Sequence, residues 1–143
     1  MDARRTVLFV CVGNAGRSVM AEAIFNRRSP KGWRAVSAGV SPARATNPGT
    51  APALAEIGVP LPSHSPQGLT ERMVREATVR VSIGATEHPS CPAWFARAHP
   101  RTWEIPDTHH ADVERFREIR EAIRTKVDAL IEELDRDPPR DGP

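Results

Sequence analysis

The chain contains no tyrosine, and aromatic residues make up only 5% of its 143 positions. It therefore lacks the interleaved aromatic and basic residues that read nucleic-acid bases, and no basic stripe replaces them. Cysteine is scarce: Cys11 and Cys91 stand eighty positions apart, which excludes Cys-x-x-Cys redox and zinc-ligand spacings. The five histidines have no metal-ligand spacing either. Long hydrophobic runs are absent. The longest, Val7 to Val12, is strand-sized, far below the roughly 18 residues of a bilayer span. It is also too short for the apolar core of a signal peptide, so a cytoplasmic location is expected. No lysine follows Gly16, which excludes a Walker-type nucleotide loop.

With 39% hydrophobic and 27% charged residues the chain reads as globular, and its length suits one domain. We expect that domain over residues 1–136, with 137–143 as a flexible tail. Fourteen prolines imply several rigid loops. The net charge of +2 is unevenly spread. Residues 1–70 carry eight Lys/Arg against three Asp/Glu, and the remainder twelve against fifteen. The basic half is where an anion site is expected.

Thr6 to Cys11 is a continuous run of β-formers, the pattern of a buried parallel strand. A loop with two glycines and an asparagine follows, then a helix opening at Ser18 and ending near Asn26–Ser29. Trp33 to Ser37 is a second strand ended by Gly39. Pro48 to Ile57 reads as a helix stopped by Gly58. Thr70 caps a short helix through Ala77. Val79 to Ile83 is a third strand, Ala85 to Pro100 a long loop without a period, and Arg101 to Ile105 a fourth strand. Apolar residues at Val113, Phe116, Ile119, Ile123, Val127, Leu130, Ile131 and Leu134 mark a long amphipathic helix over 111–135. Strands alternating with helices predict an α/β fold with a parallel sheet covered on both faces, whose ligands bind beyond the carboxyl ends of the strands.

The segment Cys11-Val12-Gly13-Asn14-Ala15-Gly16-Arg17-Ser18 joins the first strand to the first helix. A wrap of this length aims backbone N–H groups at one point and adds the positive end of the helix dipole. Gly13 and Gly16 can take positive φ, and Asn14 tolerates the left-handed region. Arg17 supplies a planar fork for a tetrahedral oxyanion. Cys11 stands at the rim, where such a field favours thiolate over thiol, and Ser18 can donate to its sulfur. On residues alone Cys11 is either this reactive thiol or a small core residue closing a strand. Asp107, following Pro106 before a helix, reads first as a helix cap.

This loop, continued by Met20-Ala21-Glu22, resembles the low-molecular-weight protein tyrosine phosphatase superfamily, and within it the arsenate reductase branch. Ser37-Ala38-Gly39, Asn47-Pro48, Glu56-Ile57-Gly58-Val59, Pro66 to Thr70, Trp103-Glu104-Ile105-Pro106-Asp107 and Phe116 to Arg120 are similar to segments of that branch. The resemblance runs from about Thr6 to Leu134. It implies a three-layer α/β sandwich with a four-stranded parallel sheet flanked by helices. It implies Cys11 as nucleophile and Arg17 with the loop amides of Val12 to Gly16 as oxyanion holders. Ser18 stands beside the nucleophile, and Asp107 becomes the general acid. The family usually has proline after this aspartate, where the chain has Thr108, and tyrosine phosphatases often carry a second cysteine at the place of Gly16.

Thioredoxin-coupled relatives use two further cysteines. The first corresponds to Ala85 and the second to Cys91, so a three-cysteine relay is excluded. Either Cys91 resolves the Cys11 adduct, or an external thiol does. The resemblance thus implies no bound cofactor and no metal, with a thiol reductant (thioredoxin, mycothiol or glutathione) as co-substrate. A thioredoxin- or mycoredoxin-type protein is the partner implied, with no nucleic acid and no membrane. Small loop side chains favour arsenate or phosphate over a peptide, although Trp94-Phe95 could form an aromatic wall. Three functions stand open: arsenate reduction, phosphoester hydrolysis through a cysteinyl-phosphate, and oxyanion binding without turnover.

Overall fold

The computed structural model describes residues 5–136; the tail expected over 137–143 lies outside them. Four strands, β1 (Arg5–Cys11), β2 (Trp33–Gly39), β3 (Val79–Ile83) and β4 (Arg101–Trp103), form one parallel sheet ordered β2-β1-β3-β4. Cys11 pairs in register with Gly39 at the carboxyl edge of the two longest strands. The apolar run Val7–Val10 is fully buried because β1 has a strand on each side and helices on both faces.

Alternating side chains of β1 feed two cores. Val7, Phe9 and Cys11 face a large cluster with Met20 and Phe25 of α1 (Arg17–Arg27), Ala53 and Leu54 of α2 (Thr50–Ala55), and Ile119 and Ile123 of α5 (Val113–Arg136). Leu8 and Val10 face a smaller cluster with Val74 of α3 (Glu71–Glu76) and Phe95 of α4 (Ala93–Ala96). The result is the expected three-layer sandwich. No helix among the described residues is long and apolar enough to cross a membrane.

The differences from the sequence reading are local. α2 begins at Thr50 rather than Pro48 because the Asn47 side chain accepts from the Gly49 N–H at 3.1 Å, forming a turn before the helix. A single helical turn, α4, lies inside the segment expected to be irregular, where four residues are too few to show a period. It carries Phe95, fully buried against the sheet, with Trp94 packed on the same cluster; these aromatics hold the loop to the sheet. β4 stops at Trp103, short of Ile105. Val113, counted in the apolar stripe of α5, is 64% exposed, since the first turn overhangs the core that Phe116 enters. Thr70 caps α3 as expected, accepting from the Met73 N–H at 3.2 Å.

Candidate active site

Residues that follow β1, β2 and β4 line one cleft, and Gly84 after β3 stands against Arg17. The loop Cys11–Arg17 follows β1, Ala43 follows β2, Gly84 follows β3, and Ile105–His109 follows β4. Cys11, Val12, Gly13, Ala15, Gly16 and Arg17 line a cleft of about 180 Å³ together with Ala43, Asn47, Asp107, Thr108 and His109.

The loop is shaped from outside. The carbonyls of Cys11, Val12 and Gly13 accept from the N–H groups of Val40, Ser41 and Ala43 at 2.9–3.1 Å. The Asn14 carbonyl meets His64 Nε2 at 3.1 Å. The Ala15 carbonyl accepts from Asn47 N–H at 2.9 Å and Thr50 Oγ1 at 2.8 Å, and that of Gly16 from Met20 N–H at 2.9 Å. In a trans peptide the N–H of the next residue points opposite to the carbonyl. Carbonyls drawn outward in succession therefore turn the following amides toward the cleft, an anion nest at the start of α1. One such amide, Asn14 N–H, donates to Cys11 Sγ at 3.3 Å.

Asn14 holds the curve. It alone in the loop has positive φ, +53°, and it is fully buried. Its Nδ2 donates to Ser18 Oγ and Ser37 Oγ, both at 2.9 Å, and its Oδ1 accepts from Gln67 N–H at 3.0 Å. Ser37 in turn donates to Glu22. Of the three residues that could take positive φ, Asn14 makes the left-handed turn and fixes it with its own amide, and Gly13 and Gly16 do not have positive φ. Ser18 Oγ lies 2.9 Å from Cys11 Sγ. Cys11, the last residue of β1, is 2% exposed and belongs to the larger core cluster.

Arg17 lies 6% exposed. Its Nη1 donates to the Ile105 carbonyl at 2.9 Å, and its Nη2 stands 3.8 Å from Asp107 Oδ2. Gly84, at φ +73°, gives the guanidinium its room: a Cβ there would lie 2.6 Å from Nη1. Asp107 is open to solvent, its side chain 59% exposed, and its Oδ1 accepts from His109 N–H at 3.2 Å.

The structure thus brings Cys11, Ser18, Arg17, Asp107 and the loop residues Val12–Gly16 together. It does not bring Cys91 to them. Cys91 packs against the smaller cluster with Phe95 and Ala85, and its Sγ donates to the Pro92 carbonyl at 3.6 Å. Burial pushes its thiol above the ordinary range, and the nearby Glu87 carboxylate adds to this. The sequence reading missed the outer supports. Ser37, Asn47 and Gln67 lay in segments similar to the family's but carried no chemistry of their own, and no local signal marked His64 or Thr50.

The family model for low molecular weight phosphotyrosine protein phosphatases matches residues 6–140. The chain belongs to that family. Among curated members, an arsenate reductase of Brevibacillus brevis is 24% identical over 132 residues, covering 92% of this chain and 98% of its own. Among solved structures, an arginine phosphatase of Geobacillus stearothermophilus superposes with a TM-score of 0.81 at 26% identity, covering 92% of this chain and 93% of that one. A thioredoxin-dependent arsenate reductase of Corynebacterium glutamicum superposes with a TM-score of 0.72 at 26% identity, covering 92% of this chain and 62% of that one. The low molecular weight phosphatase superfamily, whose relatives here include both reductases and phosphatases, is the enzyme class of the chain.

Proposed function

We propose that the protein is an arsenate reductase that draws its electrons from thiols. The observation that carries this reading is the cleft itself. Around Cys11 Sγ it offers an anion nest and one guanidinium, walled by Val12, Ala15, Ala43 and Thr108, with no Phe or Trp among its lining residues. Such a socket suits a small tetrahedral oxyanion. Curated relatives named arsenate reductase support the reading.

In the proposed reaction Cys11 Sγ attacks arsenic while Arg17 and the loop amides hold the oxygens and stabilise their charge. Asp107 protonates the leaving oxygen, which departs as water, and a sulfur–arsenic(V) bond replaces the arsenic–oxygen bond. An incoming thiol then attacks the Cys11 sulfur. A disulfide forms, the sulfur–arsenic bond breaks, and its electron pair stays on arsenic, reducing it from +5 to +3. The thiol proton passes to an arsenite oxygen. The incoming thiol is external in this reading, a small thiol or a thioredoxin- or mycoredoxin-type protein, because Cys91 lies outside the cleft lining.

The test is arsenite production with thioredoxin, glutathione and mycothiol systems in parallel, using native protein and Cys11→Ser. Thiol-dependent turnover that vanishes in Cys11→Ser supports the proposal; full activity of that variant ends it. A second reading, phosphoester hydrolysis, is favoured by the likeness to the arginine phosphatase. An apolar hollow that shares Asn47 with the cleft could take the organic part of an ester. Turnover of p-nitrophenyl phosphate without arsenate reduction selects it.

A further inference from the structure

The chain departs from the resembling pattern at Gly16 in the oxyanion loop and at Thr108 after the acid, and these two residues lie against each other. A Cβ on Gly16 would lie 2.3 Å from Thr108 Oγ1, 3.1 Å from its Cγ2 and 3.2 Å from its Cβ. The absent side chain at 16 is a notch, and the threonine fills it. Thr108 is 5% exposed although its neighbour Asp107 is open to solvent.

We propose that Gly16 and Thr108 form a matched lock that positions Asp107 over the oxyanion loop, with Thr108 as a positioning residue. The proposal rests on the reading of Asp107 as the general acid. Three anchors tie the acid segment down. Arg17 holds the Ile105 carbonyl at 2.9 Å; Asn47 Nδ2 reaches the Thr108 carbonyl at 3.5 Å, and Ala111 N–H donates to the same oxygen at 3.0 Å. Between these points the Asp107 carboxylate has one backbone hydrogen bond and a 3.8 Å approach to Arg17, too little by itself to fix an exposed side chain. A proline at 108 would stiffen the segment through its fixed φ. Threonine has no such ring, but its branched side chain has few rotamers, and seating it in a close-fitting notch removes the rest of its freedom. Specific packing here replaces backbone restraint, and it works only while residue 16 has no side chain.

The experiment compares native protein with Gly16→Ala, Thr108→Val, Thr108→Gly and the double variant Gly16→Ala/Thr108→Ala. Four quantities are measured. They are kcat and KM for arsenate with thiol, the same for p-nitrophenyl phosphate, protection of Cys11 from iodoacetamide by inorganic phosphate, and hydrogen exchange at the Ala111 amide. Gly16→Ala is expected to lower kcat about tenfold or more, within the range of general-acid effects. KM and phosphate protection stay within about threefold, and Ala111 exchange quickens about tenfold. Thr108→Gly is expected to match it, whereas Thr108→Val, which keeps the branched shape, loses less than about threefold in kcat. The double variant, with a methyl at 16 and space at 108, recovers at least about half of the lost activation free energy and of the lost exchange protection. A double variant no better than Gly16→Ala overturns the lock. So does a Gly16→Ala protein whose phosphate protection falls as far as its kcat, since the damage then lies in the cradle. If the native protein turns over neither substrate, the proposed function fails, and exchange and rescue still decide the lock.

Discussion

Arg17 and Ile105 join the two halves of the cleft: the Arg17 side chain, part of the cleft lining, holds at 2.9 Å the carbonyl two residues before Asp107. Under the proposed function, one side chain therefore sets both where the oxyanion sits and where the acid segment begins. Lysine cannot do both, since it offers a point charge rather than a planar fork. Arg17→Lys is expected to cut turnover about a hundredfold or more, near the effect of removing one transition-state donor. Steady-state kinetics should show the loss mainly in kcat. An equal loss confined to KM would mean that Arg17 only collects substrate.

Asn14 is the loop's keystone in energy as well as shape. Asn14→Ala removes a donor from each of the Ser18 and Ser37 hydroxyls, takes the acceptor from the Gln67 amide, and puts a Cβ residue without compensation at φ +53°. The expected cost is about 3 kcal/mol, read from the urea midpoint, together with lost phosphate protection of Cys11. Asn14→Gly accepts the backbone but not the hydrogen bonds, so it should recover about 1 kcal/mol of that and none of the protection.

Glu56 gives the fold an acid-resistant clasp. Side-chain hydrogen bonds from Arg117 and then Arg120 hold its carboxyl down at about 2, against an ordinary value of 4.5. A lowered value in the folded state means that the stabilisation is complete above the ordinary carboxylate range. It then declines as pH falls from 4.5 toward about 2. Glu56→Gln removes this dependence, so melting temperatures of variant and native protein should converge across that window. The effect is modest and shrinks in high salt because the carboxylate is solvent-facing. A gap that widens as pH falls would contradict the assignment.

Cys91 should be a poor thiol at neutral pH, since burial and Glu87 both hold its proton on. Iodoacetamide at pH 7 is expected to label it more slowly than a free cysteine. Cys91→Ser should retain arsenite production with an external thiol to within about twofold, measured beside the native chain. Loss of turnover in that variant, with a Cys11–Cys91 disulfide trapped in the native protein, would restore the internal route.

The parallel sheet and its order of helices were legible because β1 is a continuous apolar run, β2 and β3 are short stretches closed by glycines, and α5 is a long periodic helix. Val79–Ile83 was read to the residue, where Gly84 closes the strand. The strand-to-helix loop was legible because Cys11 and Arg17 stand in one contiguous segment. What the sequence hid are contacts between distant segments. His64 reaches the Asn14 carbonyl across fifty positions, and Thr108 meets Gly16 across ninety-two. Neither side chain differs locally from an ordinary loop residue. The part played by Gly16 was hidden for a related reason: a glycine signals either a backbone that must bend or a neighbour that needs space, and only the fold tells which.

The outward carbonyls of the loop have one further result. The ring's curvature is fastened from within the protein, by hydrogen bonds that Val40, Ser41, Ala43, Asn47 and His64 make to the loop carbonyls. Under the proposed function, capture of an oxyanion then needs no folding of the ring around the guest. Its speed is set by diffusion and by attraction between opposite charges, and it slows as ionic strength rises.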